Sequence, residues 1–322
     1  MSKIRVGVLR GGPSSEYEVS LKTGASVLKH LPEAYHAQDI FISKDGSWHK
    51  GGIAYAPGEI LKHLDVVFNA LHGEYGEDGR VQHLLDTFAM PYTGSGYLAS
   101  ALGMNKALTK KVFTEHGIKT PLHKTLSKGG YTHADILHLF KTFPMPAVVK
   151  PVRAGSSVGV SIARTVHELE EALKKAFAHD TEALIEEYIS GREATCGVIE
   201  GFRGEAMYSL LPVEIVHNSS SGLFDYEAKY SGKSKEICPG NFNKEEMKKI
   251  QDASVAVHKA LGLRHYSRSD FIVHPKRGIY ILEVNTLPGL SDESLFPLSL
   301  SAVGSSISEF LGHVLDCAIH KK

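Results

Sequence analysis

Arg268-Ser269-Asp270 and Glu283-Val284-Asn285-Thr286-Leu287-Pro288-Gly289 stand at the two ends of one short segment near the end of the chain. Between them, two apolar stretches, Asp270 to His274 and Gly278 to Val284, flank Pro275-Lys276-Arg277-Gly278. This pattern predicts a β-hairpin with a tight polar turn. Pairing its strands brings Asp270 close to Glu283 and Asn285. The resulting donor set is all oxygen, with no cysteine or paired histidine, which suits Mg²⁺, and Mg²⁺ in such sites usually carries a nucleotide phosphate. Arg268 shares a strand face with Asp270, because side chains alternate with a period of two. A permanent cation there is suited to stabilising charge that develops during a reaction.

Moving outward, Ala147 to Pro151 is a predicted strand, Gly155-Ser156-Ser157-Val158-Gly159 a loop and Val160 to Ile162 a returning strand. A helix is predicted over Val166–Phe177 and a strand over Ala183–Tyr188. Together they form a small α+β module, residues 106–190. Upstream, Ile4–Leu9 ends in Gly11-Gly12-Pro13. A helix follows, with Leu21, Ala25 and Leu28 on one face. Strands are predicted at Asp39–Ile42 and Asp65–Ala70, and a second helix after Gly79. This is the βαβ pattern of a parallel sheet, placed at residues 1–105. One helix, about Leu98–Glu115, leads into the middle. Residues 191–322 contain strands at Glu193–Glu200 and Glu205–Val216, a polar loop (His217–Gly240), and helices at Lys244–Leu261 and Ala302–Ala318.

The chain has 322 residues, a formal net charge of zero and 42% hydrophobic residues, enough for two or three domains. Neutral charge speaks against nucleic acid as a partner. Cys196, Cys238 and Cys317 are widely spaced and odd in number. They argue against a disulfide framework or a zinc site and for a reducing compartment. No stretch approaches the length of a membrane span and no signal peptide is evident, so a cytoplasmic location without membrane association is expected.

Several motifs admit two readings. Lys150 followed by Gly155-Ser156-Ser157 is equally a phosphate loop with its lysine or a hairpin with a surface lysine. Gly232-Lys233-Ser234 is not a Walker A end, because Glu227 stands where the earlier glycine belongs. Gly94-Ser95-Gly96 fits a relaxed dinucleotide fingerprint, but it lies far from the first βα turn and reads better as a glycine-rich helix start. Glu186-Glu187-Tyr188-Ile189 is an edge strand with solvated glutamates or, with Glu193, a hinge that holds adenosine. His72-Gly73-Glu74-Tyr75-Gly76-Glu77-Asp78-Gly79 follows a strand end, where ligands of parallel sheets bind. Glu77 and Asp78 also suit the start of the next helix. Glu16, after Gly11-Gly12-Pro13, suits an ammonium group better than a phosphate.

In order, GGPSSEYEVS (11–20), LHGEYGEDG (71–79), GMNK (103–106), VVKPVRAGSSVGVS (148–161), LIEEYISGRE (184–193), FDYEAKY (224–230), SRSD (267–270) and EVNTLPGLSDESL (283–295) resemble the D-alanine–D-alanine ligase family of the ATP-grasp superfamily. The resemblance implies a three-domain α/β architecture: an N-terminal parallel α/β domain, a small central α+β domain and a C-terminal α+β domain. It implies ligation of two D-alanines for peptidoglycan synthesis, with ATP and Mg²⁺ (or Mn²⁺), by a homodimer. The alternative is another ATP-grasp ligase that joins D-alanine to D-serine or D-lactate.

By resemblance, Lys106 and Lys150 hold ATP phosphates, Ser156 and Ser157 belong to the phosphate loop, and Lys229 contacts the transferred phosphate. Glu186, Glu187, Tyr188, Ile189 and Glu193 line the adenosine pocket. Asp270, Glu283 and Asn285 ligate metal. Glu16, near His72, takes the first D-alanine's ammonium, and Ser294 with the Leu295 backbone takes the second one's carboxylate. Arg268 and the Gly289 amide stabilise the oxyanion. Glu16, Ser156 and Tyr230 form a hydrogen-bonded group, and the loop from Phe224 to Gly240 is the lid. Tyr230 favours D-alanine as second substrate, where phenylalanine would accompany D-lactate. Ala154 departs from the family pattern, which often has glutamate there.

Overall fold

The computed structural model describes residues 3–217 and 234–320. Lys229, Tyr230 and the expected lid from Phe224 to residue 233 lie outside them. The N-terminal region contains β1 (Ile4–Gly11), α1 (Tyr17–His30), β2 (Tyr35–Ile42), β3 (Trp48–Lys50), β4 (Ile53–Tyr55), α2 (Pro57–Leu61), β5 (Val66–Asn69), α3 (Arg80–Thr87) and α4 (Tyr97–Met104). Its sheet runs β4-β3-β2-β1-β5. The β2-β1-β5 core is parallel, and β3 and β4 extend it as an antiparallel hairpin. That hairpin was not expected, although Asp45-Gly46 and Gly51-Gly52 are turn signals on either side of Trp48.

The central region contains α5 (Lys106–Glu115), β6 (His123–Ser127), α6 (His133–Thr142), β7 (Ala147–Pro151), β8 (Ser161–Ala163), α7 (Val166–Phe177) and β9 (Glu182–Glu187). The sheet is antiparallel, in the order β6-β9-β7-β8. Thr165 and Glu168 cap α7 reciprocally. Its Leu169, Leu173 and Phe177 pack on Val149 and Ile185.

The C-terminal region contains β10 (Arg192–Glu200), β11 (Met207–Ser209), β12 (Val213–Val216), β13 (Lys235–Ile237), α8 (Lys244–Ala260), β14 (Tyr266–His274), β15 (Gly278–Asn285), α9 (Leu295–Ala302) and α10 (Ile307–His320). Its sheet runs β13-β12-β10-β14-β15, with β11 beside β10.

Four expectations need correction. The single helix over Leu98–Glu115 is two helices. Asn105 takes extended backbone angles between them, and its side chain accepts a hydrogen bond from the Leu108 amide as the cap of α5. The strand expected over Glu205–Val216 is also split, because Pro212, with no N–H to give, separates β11 from β12. The helix expected from Ala302 breaks at Gly304 (φ +68°), so Val303 belongs to the end of α9. Finally, of the α1 face Leu21, Ala25 and Leu28, only Leu28 packs against the core, partly buried, while Ala25 is exposed; the residues that α1 buries are others. It buries Ser20, Thr23, Gly24, Ser26 and Val27. A Cβ at Gly24 would lie 2.5 Å from the Arg10 Cβ, so only a small-residue face lets α1 sit this close to β1.

The largest core joins opposite ends of the chain. Phe310, Leu311, Val314 and Leu315 of α10 pack with Val6, Val8, Val66 and Phe68 of the first sheet. Tyr35 also donates a hydrogen bond to Asp316 at 2.7 Å. Each such fully buried side chain contributes roughly 1.5–3 kcal/mol.

Candidate active site

The hairpin β14–β15 forms in the expected register. Arg268 faces Asn285, and Asp270 faces Glu283, with a bulge just after Asp270. Directly opposed residues share a sheet face. All four side chains therefore project to one side, where they line one cavity of about 350 Å³. The Asp270 carboxylate accepts from Arg268 Nε (3.2 Å), Thr195 Oγ1 (2.5 Å) and Asn285 Nδ2 (3.0 Å). Burial works against the Arg268 charge, but Asp270, Glu283 and Glu77 outweigh it and raise its pKa. Lys106, at the start of α5, lies 3.3 Å from Glu283 and donates to the Ala154 carbonyl at 2.7 Å. Burial pushes the Glu283 carboxyl up, and Lys106 and Lys150 more than offset it, holding it below the usual carboxylate range.

The loop after β7 brings Ser156 and Ser157 to the same cavity with positive φ, +48° and +55°. Non-glycine residues reach this region at a cost of roughly 1–2 kcal/mol each. The loop touches the N-terminal region directly. Ser156 favours the ionised Glu16 carboxylate, and a Cβ on Gly155 would lie 2.1 Å from Glu16 Oε1.

Glu16 precedes α1, while His72 and Glu77 lie on the loop after β5. Their ligand atoms all fall within 4.8 Å of one another. The His72 Nε2 is 2.8 Å from Thr23 Oγ1, and its Nδ1 is 3.7 Å from Glu77. Two carboxyls here shift in opposite directions. Burial, then the charge of Glu77, raises Glu16. Burial also works against ionised Glu77, but His72 and the Gly73 and Leu287 amides outweigh it and hold Glu77 low.

The expectation that Glu77 favours the next helix's N-terminus fails. Asp78 takes that position, accepting from Arg80 N at 3.1 Å. Glu77 turns inward and accepts from Gly73 N (2.9 Å), Thr286 Oγ1 (3.2 Å) and Leu287 N (3.3 Å). It thus ties the loop after β5 to the residues that follow Asn285.

The cavity gathers twelve of the expected site residues: Glu16, His72, Lys106, Ser156, Ser157, Arg268, Asp270, Glu283, Asn285, Gly289, Ser294 and Leu295. Lys150, Glu186, Glu187, Tyr188, Ile189 and Glu193 do not line it. Lys150 lies on β7, Glu186 and Glu187 on β9 and Glu193 on β10, with Tyr188 and Ile189 in the connection between β9 and β10. Lys150 and Glu186 pair at 2.5 Å, buried. Glu187 pairs with Arg277, and Glu193 bonds His217 at 2.8 Å. The amides of Glu187 and Tyr188 are taken by the Leu122 and Pro146 carbonyls (2.8 and 3.1 Å). Ile189 is buried against Ile272 and Tyr280. Two charged residues of this region, Lys110 and the inward Glu77, were not singled out in the sequence as site residues. Lys110, on α5, is fully buried against Glu186. Its one visible signal is its place four residues after Lys106, on the same helix face. The glycines at 94–96 serve the fold, since Gly94 N donates to His265 at 3.0 Å.

A cavity lined by the start of α1, the loop after β5, the glycine-serine loop that follows the central strand β7, and a C-terminal hairpin carrying oxygen donors, set in this arrangement of three sheets, defines an ATP-grasp enzyme. A profile described as the D-ala D-ala ligase N-terminus matches residues 5–60 and 52–95, and one described as the D-ala D-ala ligase C-terminus matches 112–316. The chain belongs to the D-alanine–D-alanine ligase family. It is 40% identical to a D-alanine–D-alanine ligase of Geotalea uraniireducens, over 98% of this chain and 96% of the relative. It is also 40% identical to one of Halalkalibacterium halodurans, over 99% and 100%. Among solved structures, the D-alanine-D-alanine ligase of Coxiella burnetii superposes with a TM-score of 0.85 at 28% identity (99% and 94% covered). The VanG D-Ala:D-Ser ligase of Enterococcus faecalis gives 0.84 at 31% (97% and 98%). Among the described residues, no helix is long and apolar enough to cross a membrane.

Proposed function

We propose that this protein joins two D-alanines into D-alanyl-D-alanine at the expense of ATP, as a cytoplasmic homodimer supplying peptidoglycan synthesis. One observation carries the reading. The all-oxygen set Asp270, Glu283 and Asn285 shares a single cavity with Arg268, Lys106 and the carboxylate Glu16. The donor chemistry fits a hard divalent cation. Asp270, Glu283 and Asn285 would hold one or two such ions, Mg²⁺ or Mn²⁺. When bound, these ions supply neutralisation of phosphate charge. We divide the chain near residues 105 and 190, so that the nucleotide is gripped between the central and C-terminal parts.

The residues take complementary roles. Lys106, Lys150, Ser156, Ser157 and Lys229 hold the triphosphate. Glu186, Glu187, Tyr188, Ile189 and Glu193 surround adenosine. Glu16, beside His72, receives the ammonium of the first D-alanine, a cation that relieves its repulsion with Glu77. A carboxylate is a poor electrophile, so its oxygen first attacks the γ-phosphorus, and the bond to ADP breaks. The amine of the second D-alanine, neutral and oriented by the Ser294 hydroxyl and Leu295 amide on its carboxylate, then attacks the carbonyl. Arg268 and the Gly289 amide stabilise the oxyanion. Phosphate leaves, the amine loses its proton, and the dipeptide remains. Tyr230, with Ser156 and Glu16, links the three parts around the substrates.

Phosphate release measured with ATP and Mg²⁺ over D-alanine, L-alanine, D-serine and D-lactate tests the reading. D-alanine alone should support turnover, with D-alanyl-D-alanine as product. A product that is mainly D-alanyl-D-lactate at neutral pH would overturn it. Asp270→Asn should lower turnover about a hundredfold or more with little change in melting temperature; unchanged activity would remove the metal assignment.

A further inference from the structure

Glu186 is a fully buried carboxylate with two lysines on it. Lys150 Nζ lies 2.5 Å from Oε2, and Lys110 Nζ contacts Oε1. The two lysines are held differently. Lys110 is completely buried and also donates to Thr120 Oγ1 at 2.7 Å. That hydroxyl in turn donates to the Ile281 carbonyl of β15 at 3.0 Å. Lys150 is slightly exposed, on the strand that leads into the Ser156-Ser157 loop. It feels the charges of Glu283 and Asp270 on the cavity face, which favour its protonated form. Lys110 is therefore seated, whereas Lys150 can turn toward the cavity.

If Lys150 alone neutralised Glu186, its departure to a phosphate would strand a buried unpaired carboxylate. Breaking such a pair by removing one partner is strongly destabilising, because it leaves an uncompensated buried charge. A second, immobile cation removes that penalty. We propose that Lys110 is a positioning residue: the resident counter-ion of Glu186, which releases Lys150 to the nucleotide's phosphates and keeps Glu186 an ionised, acceptor-only group. Kept ionised, Glu186 accepts from an amino group and rejects a carbonyl oxygen. It thereby favours a 6-amino purine over a 6-oxo purine. The inference rests on the nucleotide site of the preceding reading, not on the ligation step.

The test is calorimetric binding of a non-hydrolysable ATP analogue and of its inosine counterpart to full-length wild type, Lys110→Met, Glu186→Gln and the double variant. Wild type should prefer the adenine analogue. In Lys110→Met, the Kd for the adenine analogue should rise tenfold or more, and the preference over inosine should collapse. The double variant should bind no worse than Glu186→Gln alone, because without the carboxylate there is nothing for Lys110 to hold. A merely structural Lys110 would lower the melting temperature yet leave the base preference intact. Wild-type-like binding by Lys110→Met, or a double variant tenfold weaker than Glu186→Gln, overturns the proposal. The latter comparison decides it even if Lys110→Met does not fold. Wild type that binds neither analogue refutes the nucleotide site itself. Wild type that binds the adenine analogue but makes no dipeptide refutes only the ligation.

Discussion

Glu16 and Glu77 are two carboxyls around one histidine, pushed apart by their partners. Glu77 has donors on three sides and is held ionised; Glu16 has burial and a like charge against it. A glutamate whose folded pKa lies above its ordinary value stabilises the fold below that ordinary value, and the contribution is lost as pH rises through the raised pKa, so at neutral pH the Glu16 charge costs the empty fold. Glu16→Gln should therefore raise the melting temperature at pH 7 while raising KM for the first D-alanine about ten- to a hundredfold, the scale of a charge-assisted hydrogen bond. Thermal unfolding and initial rates check both halves, and a lowered melting temperature with unchanged KM would contradict them. At this scale the sequence is readable where chemistry and periodicity coincide. Asp270, Glu283, Asn285 and Arg268 lie on one hairpin, whose register follows from a period of two. Lys110 and Glu77 were missed because their significance comes from partners far away in the chain, Glu186 and Thr286, which local patterning does not reveal.

Elements show the same division. The cap-to-cap length of α7 was legible because Thr165, Glu168 and its apolar stripe agree. The buried face of α1 was not, because a close helix–strand contact selects serine and glycine, which carry no hydrophobic signal. The loop after β7 is the element on which the two halves of the site depend, as it meets Glu16 through Gly155 and Ser156. In Gly155→Ala, the added methyl must displace the Glu16 carboxylate. Misplacement of a substrate-holding group by about 1 Å can cost up to about a hundredfold. The expected loss is in kcat/KM for D-alanine, with Kd for the ATP analogue nearly unchanged. Equal loss in both would place the fault in the loop's hold on phosphate instead.

Across the whole molecule, the α10 core fastens the end of the chain to the first sheet, so neither is independent of the other. Phe310→Ala should cost about 3–5 kcal/mol, read as a lower urea midpoint for the entire N-terminal region rather than for α10 alone. Buried ionised carboxyls set the acid limit. Burial opposes the charges of Glu186, Glu77 and Glu283, but their cationic and hydrogen-bonding partners hold all three low, Glu186 at about 2. Their contribution is complete above the unfolded value near 4.5 and is lost as pH falls toward 2, with Glu16 acting in the opposite sense. Urea midpoints should fall between pH 5 and pH 2. Midpoints that stay level would mean that these carboxyls are not held ionised in the fold.

The central claim is that a D-alanine carboxylate is phosphorylated in the cavity beneath Arg268, Asp270, Glu283 and Asn285 before an amine displaces the phosphate. It is tested most directly with D-alanine whose carboxylate carries ¹⁸O, incubated with ATP and Mg²⁺, followed by mass analysis of both products. One labelled oxygen should appear in inorganic phosphate for each D-alanyl-D-alanine formed, with the other retained in the peptide carbonyl. Unlabelled phosphate, or phosphate released without dipeptide, would contradict the account.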